Sequence, residues 1–128
     1  MNQFVKTFFL IILFASFNNL FPNGKDELYK PFAEVMPLPV GGIESIYKKI
    51  TYPEAAKKAG VEGKVYLLVY INENGDVDDV KVIKGLYGGC DEAAVKAVKN
   101  SKFTPAEDKG IPIKVKLTLQ IIFKLTGS

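Results

Sequence analysis

"GKVYLLVYINENGDVDDVKVIKG", residues 63–85, spells out two strands and the reversal between them. Val65, Leu67, Val69 and Ile71 alternate with Lys64, Tyr66, Leu68, Tyr70 and Asn72, the two-residue period of a strand with one face in a core. Asn74 and Gly75 both tolerate positive φ, so they mark a tight hairpin, and the return run sets Val80 and Val82 on one face. The second face of the first strand is also apolar, through Tyr66, Leu68 and Tyr70. That places the strand in the middle of a sheet, or partly under the segment that precedes the domain.

The flanks supply helices and a third strand. In "TYPEAAKKAG", residues 51–60, Pro53 suits a first helical position, Glu54 complements the positive end of the dipole, and Gly60 can end the helix in the left-handed conformation. Only about two turns fit, so Ala55, Ala56 and Ala59 must be held by packing. "GGIESIYKKI", residues 41–50, offers a further short helix through Ile43, Ile46, Tyr47 and Ile50. Beyond the glycine-rich "GLYGG", residues 85–89, "CDEAAVKAVKNSKF" predicts a helix capped by Asp91, with Ala94, Ala97, Val98 and Ser101 along one stripe. "TPAEDKGIP" then turns the chain into "IPIKVKLTLQIIFKL", residues 111–125, in which every odd position is apolar. As a single strand it would run to fifteen residues, about twice the usual length. The expected fold is α+β: a two-layer sandwich of a three-stranded antiparallel sheet with two helices on one face, in the order helix-strand-strand-helix-strand.

Three segments divide the chain. Residues 1–21 hold Lys6 and then ten residues from Phe8 to Phe17 without a charge, the length of an export signal's apolar region and half of a comfortable membrane span. The cleavage site is weak, so a signal peptide and a retained signal anchor both stay open. Residues 22–50 carry four of the seven prolines and read as an extended lead-in that Val35, Met36 and Leu38 could tack down. Residues 51–125 form the domain.

Composition removes several classes of function. The net charge is +3 with seventeen lysines and no arginine, so no bidentate guanidinium is present to recognise phosphates or bases, and no nucleic-acid partner is expected. There is no His, which excludes imidazole acid-base chemistry and His-ligated zinc. "NENGDVDD" resembles a calcium loop only superficially: with Gly75 in the sixth position, Tyr70 and Lys81 fall where carboxylates are required. Asp91 and Glu92 read as a helix start, and the lone Cys90 as a buried thiol without an activating base. No catalytic residue, cofactor or metal is expected, and the chain is not read as an enzyme.

Taken together, Tyr52-Pro53, Gly63 with Val65, Gly75, Asp91 with Ala93 and Ala94, Phe103 with Pro105 and Ala106, Gly110 with Pro112, and Phe123 make an ordered set of landmarks. Over residues 35–125 they resemble the C-terminal domain of TonB-type energy transducers. Phe103 stands where that family more usually has Trp. The absence of His and the short lead-in, at most about 100 Å if fully stretched, make the resemblance one to the receptor-binding end and not to the motor end. It implies a periplasmic protein-binding module, with inner-membrane anchoring as the alternative. The implied partner is the N-terminal peptide of a TonB-dependent outer-membrane receptor, gripped in support of transmembrane transport, with motor-complex proteins added if the chain is anchored. A structural or assembly module of the envelope without receptor coupling is the competing reading.

In that family the peptide adds as a strand beside the last strand. The partner-binding residues implied are therefore Ile111, Ile113, Lys114, Val115, Lys116, Leu117, Thr118, Leu119, Gln120, Ile121, Ile122, Phe123 and Lys124. An open edge of that length also offers itself to a second copy of the chain, giving a homodimer.

Overall fold

The computed structural model describes residues 24–126; the signal peptide or anchor expected over residues 1–21 lies outside them. Among the described residues four helices and five strands follow in order: α1 (Gly24–Leu28), α2 (Ile43–Tyr47), α3 (Glu54–Ala59), β1 (Gly63–Ile71), β2 (Val77–Lys84), α4 (Cys90–Lys99), β3 (Ala106–Asp108), β4 (Ile111–Ile113) and β5 (Val115–Phe123). The main sheet is antiparallel with the order β2-β1-β5, so the strand read as central is central.

Its two ladders differ. β1 and β5 pair without interruption from Gly63↔Phe123 to Ile71↔Val115. β1 and β2 slip register twice, leaving Ile83 and Asp78 as the extra residues. A bulge turns its extra residue and tightens the local twist; at the second one Asp78 accepts from the Tyr29 hydroxyl of the lead-in.

The core forms on the odd face of β1. Val65, Leu67, Val69 and Ile71 are fully buried there, with Val115 and Ile121 of β5, against Ala94, Ala97, Val98 and Cys90 of α4. Each such aliphatic side chain is worth about 1.5–3 kcal/mol relative to exposure, which outweighs what helices of one or two turns can supply alone. The two expected helices, α3 and α4, cover this face, and α2 joins them through Ile46. In α3 only Ala56 is buried, while Ala55 and Ala59 are exposed, because so short a helix turns one residue toward the core.

Two local expectations change. Asp91 does not cap α4: Gly89 occupies that position, and Asp91 Oδ1 accepts from the Leu86 N–H at 2.6 Å, bracing the loop before the helix. The run over residues 111–125 is not one strand. β4 pairs with β3 through a two-residue turn in which Lys109 and Gly110 both have positive φ, and β5 starts only after Lys114. Two causes combine. Pro112 has no N–H for a ladder, and β1 ends at Ile71, so nothing is left to pair with the chain before Val115.

The lead-in is bound mainly through its backbone. Val35 exchanges two hydrogen bonds with Glu107 at 3.0 Å, the Val40 N–H donates to Lys102 O at 2.8 Å, and the Thr104 N–H donates to Leu38 O at 2.8 Å. The side chains of Val35 and Leu38 stay exposed, Met36 is half-buried, and Pro37 is the residue tucked in.

Candidate functional site

The landmark residues meet in space, and they act as fasteners. Tyr52 sits edge-on to Phe123 with ring centroids 5.3 Å apart, and its hydroxyl donates to Val61 O, tying the start of α3 to the end of β5. Gly75, with φ 84°, lies against Phe103: a Cβ there would come within 1.9 Å of the Phe103 carbonyl oxygen, and the Phe103 N–H donates to Gly75 O at 2.9 Å. Asp76 and Lys102 close the same junction with a 2.6 Å ion pair. Gly88 and Gly89 lie against Ala56 and the Pro53 ring. Cys90 is buried in the core, which pushes its thiol pKa up, with the neighbouring Asp91 and Glu92 carboxylates adding to the shift. These contacts fasten α3 and α4 behind the sheet and tie the hairpin turn to the segment at Phe103, while the strand order sets β5 at one rim.

The geometry of that rim follows from the ladder. Odd residues of β5 face the helices: Val115, Ile121 and Phe123 are buried, while Leu117 and Leu119 are half-buried. Thr118, Gln120 and Ile122 are exposed on the other face, and Lys116 is half-buried. In an antiparallel ladder alternate residues turn both backbone groups to the same edge. Two contacts show which ones turn outward here. The Lys116 N–H donates to Lys30 O at 3.0 Å, and the Ile122 N–H donates to the Tyr47 hydroxyl at 2.9 Å. Thr118 and Gln120 fall between them with the same orientation. Among the described residues no strand pairs with that stretch of edge.

The thirteen residues expected at the site are thus divided. Lys116 to Ile122 make the rim, with Phe123 and Lys124 just past it, where a shallow concavity of about 290 Å³ is lined by Glu62, Gly63, Lys64, Ile122, Phe123 and Lys124. Val115 lies at the start of the rim, beside Lys30. Ile111 and Ile113 sit in the β3–β4 hairpin, and Lys114 joins the two strands. A larger groove of about 520 Å³ lies elsewhere, between β2 and α4, with Val82 and Val95 among its walls and Lys96 and Lys99 beside them.

Reading the sequence missed Tyr47, Tyr29 and Lys30. Tyr47 looked like one apolar position of a short helix, and its hydroxyl's use at β5 has no local signal. Tyr29 and Lys30 lie in the lead-in, where no periodicity marks a contact with the sheet. The Asp78 bulge supplies half of that contact, since Asp78 accepts from the Tyr29 hydroxyl and, at 2.9 Å, from Asn72 Nδ2.

Residues 48–125 match the family described as Gram-negative bacterial TonB protein C-terminal. The chain is 30% identical over 77 residues to protein TonB of Vibrio cholerae, covering 59% of this chain and 32% of that protein. It is 35% identical over 75 residues to protein TonB of Xanthomonas campestris, covering 58% and 34%. It therefore spans about a third of the length of these relatives. The solution structure of the Helicobacter pylori TonB C-terminal domain superposes with a TM-score of 0.52 at 30% identity, covering 66% of this chain and 90% of that one. The corresponding Pseudomonas aeruginosa domain gives 0.51 at 26%, covering 62% and 81%. With the sheet order, the fastened landmarks and a match running from α3 through β5, this chain belongs to the TonB C-terminal family.

Proposed function

We propose that this domain is a protein-binding module of the bacterial envelope that takes the N-terminal peptide of a TonB-dependent outer-membrane receptor as an added strand on the outer edge of β5, in support of transmembrane transport. The single observation that carries the reading is the backbone of Thr118 and Gln120, turned outward from a strand whose ladder to β1 is uninterrupted. An extended peptide placed there gains main-chain hydrogen bonds from the edge, while its side chains meet the exposed Thr118, Gln120 and Ile122 and set preference. Lys116 at one end of the rim and Lys124 just past the other favour a peptide with acidic residues. No catalytic step is assigned to it. We place the domain in the periplasm, with inner-membrane anchoring and contact with motor-complex proteins as the alternative. Among the described residues no helix is long and apolar enough to cross a membrane.

The test is calorimetric titration with synthetic peptides copied from the N-termini of receptors encoded in the same genome. Thr118→Val should change affinity by less than about threefold, because the backbone donor is kept. Thr118→Pro should abolish binding, because it removes an outward N–H while leaving the β1 ladder its own donors. Equal binding by wild type and Thr118→Pro would exclude the β5 edge as the site. Cell fractionation with protease accessibility tests the location, and a cytoplasmic protein would end the receptor reading. A periplasmic protein that binds none of the peptides would favour an envelope assembly role.

A further inference from the structure

We propose that residues 26–30 are a resident cover on the β5 edge, one that an incoming peptide must lift off before it can pair along the whole rim. This rests on the edge reading above and concerns the regulation of that same site. Lys30 lies parallel to β5 at Val115, donating its N–H to Lys114 O and accepting the Lys116 N–H, each at 3.0 Å. These are the backbone groups with which a peptide would begin its pairing. With Lys30 in place, and the Ile122 N–H already bonded to Tyr47, the open stretch between them presents only Thr118 and Gln120 with both groups turned outward. That is short beside an ordinary strand of about five or six residues.

The attachment of the cover is local and mostly polar. Tyr29 is its one deeply buried side chain, set edge-on against Tyr70 with centroids 5.1 Å apart. The Tyr29 hydroxyl donates to Asp78, the Tyr70 hydroxyl donates to Asp26, and Lys114 Nζ lies 5.5 Å from the Tyr29 ring centroid. On either side Leu28 and Phe32 are exposed, at 63% and 80%. The next backbone anchors are Glu34, whose N–H donates to Asp108 Oδ1 at 2.8 Å, and Val35 on Glu107, both of them on the β3–β4 hairpin and not on β5. Residues 26–30 can therefore leave β5 as a unit without loosening the rest of the lead-in. Lifting them exposes the Tyr70 face of the sheet along with the Lys116 amide. Peptide binding and cover docking then draw on the same edge groups, so each weakens the other.

Two full-chain variants test this. Tyr29→Ala removes the aromatic anchor, and Lys30→Pro removes the N–H that bonds Lys114 without touching a buried side chain; protection of the Val69 amide serves as the folding control. With the receptor N-terminal peptides as probes, both variants should bind fivefold or more tightly than wild type. In the wild type, binding should move the Tyr29 ring resonances toward free-tyrosine positions. Peptides that shift Thr118 and Gln120 while Tyr29 and Lys30 keep their free-protein resonances would overturn the cover and leave the edge reading standing. Absence of β5 shifts in wild type and in both variants would overturn the edge reading itself, and the cover with it.

Discussion

Gly75 holds a position that no other residue can fill without moving its neighbours. Its φ of 84° already costs an L-residue about 1–3 kcal/mol, and the Phe103 carbonyl oxygen occupies the place of a Cβ. Gly75→Ala should therefore lose more than that strain alone, read as a drop in the urea midpoint with an unchanged slope. Tyr47 makes a different kind of contact, since its hydroxyl accepts the outward Ile122 N–H at the far end of the rim. Tyr47→Phe leaves that donor to water. Exchange of the Ile122 amide should speed up while the odd-numbered amides of β5, bonded to β1, stay protected. Asn74-Gly75 was legible as a turn because tolerance of positive φ is a local property, although only Gly75 takes it up and the reversal spans residues 72–76. What presses on Gly75 was not, because Phe103 arrives from residues far along the chain.

At the level of elements, β1 and β5 carry the sheet, and residues 26–30 of the lead-in are attached beside them by the Lys30 backbone pair and by two phenols. Tyr29 and Tyr70 are both pushed up to about 12, first by burial and then by their hydrogen bonds to Asp78 and Asp26. A raised folded-state value means that the protonated form is favoured in the docked arrangement. The contribution of this contact is thus complete below about pH 10, the ordinary tyrosine value, and is lost as pH climbs through about 12. Ultraviolet titration should show late ionisation from Tyr29 and Tyr70, with Tyr52, also pushed up by burial, adding to it. Tyr29→Phe should remove one late step and advance that of Tyr70, since the two rings share one contact; an unchanged late profile would contradict the docking. The hairpin and α4 were legible because period-2 alternation and a helical stripe are strong signals over their length. The break at Lys114 was not. Odd-position alternation runs straight through it, and only the end of β1 at Ile71 shows that the ladder has stopped.

On the scale of the whole molecule, fold and candidate site differ in how far the sequence discloses them. The three-stranded sheet and its helical cover could be read from the chain because nearly every buried side chain in them belongs to a periodic run. The ordered landmarks added the family, and the structure gives them a shared role in this chain: Tyr52 with Phe123, and Gly75 with Phe103, fasten one element to the next. The rim of β5 is a property of backbone orientation, so residue types could point to its strand but not to which N–H groups face outward. Lys30 and Tyr47, which bound the rim, come from segments with no periodic link to β5. A receptor peptide added there would extend the antiparallel sheet from three strands to four, with affinity set chiefly by backbone pairing. The most direct test is amide chemical-shift mapping of the isotope-labelled protein during titration with receptor N-terminal peptides. Strand addition predicts the largest shifts and new exchange protection at Thr118 and Gln120, with Lys116 following. Perturbation confined to residues 91–100 of α4, with residues 115–123 unchanged, would contradict it even if the peptides bound.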